Sequence, residues 1–196
     1  MMTYRQKLLK AFYPALVWFG KKNGEIKTNT TNDNQPKMSF YSLSDTLIDG
    51  TTFEFSQLKG KKVLLVNTAS NCGYTEQYSD LQKLFSQSKD ELVVIGFPAN
   101  DFKEQEKGSN ADINEFCKKN FGVNFPLMKK SSVIKSQEQN SVYKWLTDSS
   151  LNGWNNKPPS WNFSKYLINE NGKLTHYFDP GISPLSDEVI AAIGEK

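Results

Sequence analysis

KKVLLVNTASNCGYTEQYSDLQKLFSQSKDELVVIGFP, residues 61–98, decides the fold. KKVLLVNTAS runs through Val63–Val66 with no apolar–polar alternation, which fits a strand buried on both faces and hence a parallel sheet. Tyr74, Tyr78, Leu81, Leu84 and Phe85 then recur at helical spacing. ELVVIGFP, residues 91–98, is a second buried run. Strand, helix and strand joined by short connections make a βαβ unit, right-handed by default.

Other elements group around this unit. SFYSLSDTLIDGTTFEF, residues 39–55, alternates around Asp49-Gly50 and predicts a hairpin. Ser109 or Asn110 can cap a helix over about 110–120, with Ile113, Phe116 and Cys117 on one face. A further helix is expected from Ser141 to Leu151. WNFSKYLINENGKLTHYF, residues 161–178, holds two strand-like runs around Asn171-Gly172, and Ser186–Ile193 closes the chain as a helix. A β-α-β centre followed by a hairpin and a last helix is a thioredoxin-like, α/β layout. It has a central mixed sheet flanked by helices, with an N-terminal β-hairpin.

Composition bounds the rest. The chain has 196 residues, 37% hydrophobic and 23% charged, enough for one domain with appendages. Two cysteines exclude a disulfide scaffold and a four-cysteine zinc site, and the single His176 argues against a histidine-rich metal centre. Net charge is +3, too small to suggest a nucleic-acid partner. Residues 1–37 carry +5 and residues 38–196 carry −2, so the positive charge belongs to an appendage.

That appendage has two parts. Residues 1–20, MMTYRQKLLKAFYPALVWFG, are basic and apolar but too short to span a bilayer. Three readings stand open: an interfacial helix touching a membrane surface peripherally, a helix packed on the body, and an atypical export signal. Residues 21–37 are rich in Asn, Thr and Lys and predict a polar linker, with the folded domain over 38–196. Location is accordingly read as cytoplasmic, with membrane association and export both left open.

Cys72 falls where the first buried strand gives way to the helix of the βαβ unit, at the mouth of an open α/β sheet. Backbone N–H groups and the helix dipole favour a thiolate there, and thiolate is the nucleophile. The alternative is an inert buried cysteine. Thr75 stands where a CxxC motif would have its second cysteine, which argues against a general dithiol reductase.

VNTASNCGYTEQYSDLQKL, GFPANDFKEQEKG and PSWNFSKYLIN resemble the three signature blocks of the glutathione peroxidase family, in its order and at its spacing. The resemblance extends over about residues 39–194. It implies a thiol-dependent peroxidase, acting on hydrogen peroxide and organic hydroperoxides through a cysteine sulfenic acid, without metal, flavin or haem. By motif position the family's catalytic tetrad falls on Cys72, Gln105, Trp161 and Asn162. An indole N–H and two carboxamides are donors that do not titrate near neutrality, suited to stabilising a thiolate and then the departing oxygen.

Cys117 resembles the resolving cysteine of members reduced by thioredoxin; a small core residue is the other reading. If it resolves, its helix must partly unwind to form a Cys72–Cys117 bridge. Ala99 stands where many members have a third cysteine, and Asp101 where glutamine is common. Phe121–Pro126 follows the helix directly, without the long loop that builds tetramers, and Arg5 is the only arginine. These departures favour a monomer reduced by thioredoxin or a similar protein, with glutathione as the alternative reductant. The rival readings are a membrane-associated thiol–disulfide oxidoreductase and a peroxide sensor.

Overall fold

The computed structural model describes residues 2–30, 35–88 and 91–195. Strands β1 (Ile26–Thr28), β4 (Lys62–Thr68), β5 (Leu92–Pro98), β6 (Lys165–Ile168) and β7 (Leu174–Phe178) form one sheet in the order β1-β7-β6-β4-β5. β4 and β5 are parallel, in the register Val63↔Val93 to Thr68↔Pro98. β6 runs antiparallel to β4, and β7 antiparallel to β6. The short strands β2 (Ser44–Thr46) and β3 (Thr52–Glu54) make the expected hairpin, with Gly50 at φ +94° in its turn. The thioredoxin-like, mixed-sheet layout is thus the observed one.

The unalternating run in β4 serves two cores at once, because successive side chains leave a strand on opposite faces. Leu64 and Val66 face one core, built from α2 (Gln77–Gln87), α3 (Asn110–Phe121) and α6 (Asp187–Gly194). Val63 and Leu65 face the other, where Phe40, Phe55 and Trp145 pack. Tyr78, Leu81 and Leu84 are the buried stripe of α2, and truncating such a leucine to alanine costs about 2–5 kcal/mol. α3 starts on a reciprocal Ser109–Asp112 capping box and stops at Gly122, in the left-handed region at φ +63°.

Several expectations need correction. The helix expected over Ser141–Leu151 is two, α4 (Ser141–Leu146) and α5 (Ser149–Asn152). Asp148 accepts the Ser150 N–H and starts a new helix instead of continuing the old one. The WNF segment is not part of a strand. Trp161–Ser164 form a turn before β6, with Phe163 at φ +69°.

The polar linker over 21–37 is interrupted by structure. Ile26–Thr28 add β1 to the sheet edge beside β7, and Glu25 bonds to both Asp179 and Lys157. Main-chain pairing needs no apolar side chains, which is why composition did not reveal it. The first segment forms α1 (Tyr4–Asn23), capped by Thr3 and Gln6 and packed on the body. The Tyr13 hydroxyl donates to Asp80 at 2.5 Å, Gln6 Nε2 donates to the Ser70 carbonyl at 2.8 Å, and Lys10 pairs with Glu76 at 3.0 Å. Among the described residues no helix is long and apolar enough to cross a membrane.

Candidate active site

β4 ends at Thr68 and α2 begins only at Gln77, so Cys72 sits in a turn and not at the first helical residue. That turn is bound together by Thr75. Its hydroxyl accepts the Cys72 N–H at 3.0 Å and lies 2.9 Å from the Ala69 carbonyl and 2.8 Å from that of Cys72. The position that would hold a second redox cysteine is occupied by a structural hydroxyl.

Donors surround the sulfur. The Tyr74 N–H points at Sγ over 3.4 Å, and the Gly73 N–H, the Trp161 indole and the Asn162 carboxamide also lie within its hydrogen-bonding reach. Asn162 Nδ2 donates to Gln105 Oε1 at 2.9 Å, which joins Gln105 to the same cluster. The structure thus brings Trp161 and Asn162 to Cys72, and Gln105 to Asn162. Asn162 Oδ1 is buried with no hydrogen-bond partner among the described residues. An orphaned acceptor of that kind costs about 1–3 kcal/mol and is tolerated where function sets the side chain's direction.

Local backbone places these groups. Asn67, the one carboxamide in the apolar run of β4, donates through Nδ2 to the Trp161 carbonyl at 3.0 Å and accepts the Phe163 N–H on its own carbonyl at 2.6 Å. Gln105 follows two residues in the left-handed region, Lys103 at φ +50° and Glu104 at φ +51°, strain of order 1–3 kcal/mol each. Its carbonyl accepts the Asn71 N–H at 3.1 Å, beside Cys72. Asp101 accepts from Ser132 Oγ and the Val133 N–H, fastening the base of this loop. Asn67 was not singled out from the sequence, where a lone polar residue inside VLLV-N-T was the available signal, and Thr75 was read there only as the missing second cysteine and not as the group that holds the turn.

Cys72 is less acidic than its turn suggested. It is 1% exposed, and burial pushes its thiol up; the Tyr74 N–H, Trp161, Asn162 and the Gly73 N–H pull it back down. Side chains of α1, which the sequence did not place over the site, lie against this turn. Leu16 of α1 lies so near Gly73 that a Cβ there would come within 2.9 Å of it. The cavity against Cys72 is about 10 Å³, lined by Met2, Gln6, Leu9 and Phe121 among others, no more room than a single water needs.

Cys117 lies in α3, fully buried in the same core as Cys72, beside Tyr78. Burial pushes its thiol up to about 12. Both cysteines are free thiols here. Glu106 is buried next to Gln105, accepts from Ser70 Oγ at 3.0 Å, and is pushed up to about 7 by desolvation.

A thioredoxin-like domain whose lone turn thiol is met by an indole and a carboxamide, with no second cysteine in the turn, has the layout of a thiol peroxidase. The chain belongs to the glutathione peroxidase family, whose model matches residues 40–147. It is 43% identical over 160 residues to glutathione peroxidase-like peroxiredoxin 2 of Saccharomyces cerevisiae, covering 81% of this chain and 98% of that one. It is 35% identical to the glutathione peroxidase homolog BsaA of Bacillus subtilis, over 78% of this chain and 97% of that one. Among solved structures it is similar to Trgpx in apo form, with 33% identity and a TM-score of 0.62, over 81% of this chain and 97% of that one. α1 and β1 precede the residues that the family model matches.

Proposed function

We propose that this thiol peroxidase reduces hydroperoxides at Cys72. The thiolate attacks one oxygen of the O–O bond, the other oxygen departs with a proton as water or alcohol, and Cys72 becomes a sulfenic acid. Trp161, Asn162 and Gln105 stabilise the thiolate and then the charge growing on the departing oxygen. The convergence of Trp161 and Asn162 on the sulfur, with Gln105 held to Asn162, carries this reading.

Cys117 then displaces water from the sulfenic acid to form a Cys72–Cys117 disulfide, which a thioredoxin-type dithiol reduces back to two thiols. Cys117 is buried in α3, so the last turns of that helix unwind first, between Cys117 and Gly122. A monomer suffices, since all the groups invoked lie in one chain. A dithiol donor belongs to a reducing compartment, which supports a cytoplasmic location. Peripheral membrane contact through residues 1–20 is part of the same reading.

Steady-state turnover with hydrogen peroxide, comparing thioredoxin with glutathione, tests it. The parent turns over with thioredoxin and Cys72→Ser does not. Cys117→Ser forms a sulfenic acid but loses thioredoxin-dependent cycling, and peptide mass spectrometry of the oxidised parent finds the Cys72–Cys117 bridge. Full thioredoxin-dependent turnover by Cys117→Ser would remove Cys117 from the cycle.

A further inference from the structure

The geometry points to α1 as a lid over Cys72 that an anionic lipid surface draws off the site. This deepens the peroxidase reading and rests on Cys72 being the reacting sulfur.

The inner face of α1 closes the site. Leu9 and Gln6 border the cavity of about 10 Å³ at Cys72, Leu16 presses on Gly73, and Tyr13 is buried against Asp80. A hydroperoxide is larger than the water that such a space could hold, so in buffer substrate reaches Cys72 only in the minor fraction of molecules whose α1 has lifted, and turnover there is slow. At the other end of the helix, Gly20 meets Gly181 so closely that a Cβ on Gly20 would lie 2.4 Å from the Gly181 Cα. The helix ends at Gly24, and β1 fastens the chain to the sheet immediately afterwards. A hinge at Gly24 leaves β1 in place while α1 swings.

The outer face is apolar and open. Tyr4, Phe12, Trp18 and Phe19 are 84%, 58%, 63% and 59% exposed, and Leu8 lies among them. At 100° per residue they fall within about one third of the helix circumference, with Tyr13 on the far side and Leu16 at the border between the two faces. Residues 1–24 contain Arg5, Lys7, Lys10, Lys21 and Lys22 and no acidic residue. Exposed aromatic side chains on a cationic helix match the interface of a bilayer carrying anionic lipid.

Lipid also distinguishes the two positions of the helix. Docked, α1 offers only its outer face; undocked, it offers Leu9, Tyr13, Leu16 and Val17 as well. A surface that binds the undocked form better shifts the population toward it. Cys72 then opens at the membrane, where its substrate would be a hydroperoxide carried in the bilayer.

Iodoacetamide modification of Cys72 in the full chain, located by peptide mass spectrometry, tests the lid without reference to turnover. Phosphatidylcholine vesicles containing phosphatidylglycerol are the probe. We expect slow modification in buffer and about tenfold or more acceleration on these vesicles, with little on phosphatidylcholine alone. Gly20→Ala keeps a good helix former but cannot seat against Gly181, so its Cys72 reacts fast without vesicles. Phe12→Ser/Phe19→Ser stays slow in both conditions.

Equal rates for the parent with and without anionic vesicles overturn the proposal. So does a stable dimer that Phe12→Ser/Phe19→Ser dissolves, because a second copy would then cover the face. If Gly20→Ala exposes Cys72 but reduces no hydrogen peroxide with thioredoxin, the lid stands and the peroxidase reading fails.

Discussion

Replacing Trp161 by phenylalanine removes one N–H from the sulfur and little else. The ring remains to pack on Phe102, 5.4 Å away between centroids, and beneath Lys103 Nζ at 5.8 Å. A hydrogen bond to a charged group is worth about 1.5–3 kcal/mol, and the half-buried position of Trp161 puts this one near the lower figure. About 1.5 kcal/mol is about tenfold in the ratio of thiolate to thiol. The donor stabilises the charged form, so its loss moves the thiol's titration to higher pH. Intrinsic nucleophilicity rises with basicity with a coefficient of about 0.4–0.5, which recovers about threefold. Alkylation of Cys72 at neutral pH therefore falls about three- to fourfold, while the alkaline plateau rises about threefold. Peroxide reduction falls further, about 100-fold, because the departing oxygen loses the same donor in the transition state. The assay is the pH profile of Cys72 alkylation beside the single-turnover rate with hydrogen peroxide. An alkylation profile that superimposes on the parent's would show that the indole does not bear on the thiolate.

Two further predictions concern stability. Glu106 holds its proton in the folded protein to about pH 7 but titrates near 4.5 when unfolded, so the folded state binds more protons between those values and stability falls as pH rises through them. Glu106→Gln abolishes that slope and raises stability at pH 8 by as much as about 3 kcal/mol, with no gain at pH 4; urea titrations at both pH values measure it, and equal gains at both would contradict the assignment. Thr75→Val keeps the shape but leaves the buried Cys72 N–H without its acceptor. The expected loss is about 1–3 kcal/mol in urea unfolding, with an unchanged m-value, and a neutral result would mean that the turn is held by other contacts.

The body of the fold was legible because its signals are local. Val63–Val66 and Leu92–Ile95 alternate between two cores, Asp49-Gly50 and Asn171-Gly172 turn their hairpins, and Ser109 and Ser186 cap their helices. The motif residues Cys72, Gln105, Trp161 and Asn162 were legible by resemblance. What escaped was decided by tertiary partners. β1 is held by main-chain bonds to β7, and the break at Thr147 depends on Asp148 capping the next turn. The helix that lies against the Cys72 turn has apolar residues on both faces, so periodicity could not say which face met the body.

Lys165 shows how the motif and the appendage became coupled. It follows the WNF turn, is fully buried, and donates to Gln77 Oε1 and to the carbonyls of Pro180 and Ile182. Among the described residues no carboxylate pairs with it directly, and burial drives its ammonium well below the usual lysine range. Gln77 in turn donates to the Pro180 carbonyl at 2.6 Å. The loop so fixed carries Gly181, the surface on which Gly20 of α1 rests. The first residue of the strand that delivers Trp161 and Asn162 thus also shapes the seat of the helix covering Cys72. Lys165 sits directly after the turn that carries the donors and is bonded to the loop beneath the cover, whereas Gly20 touches the cover's seat alone.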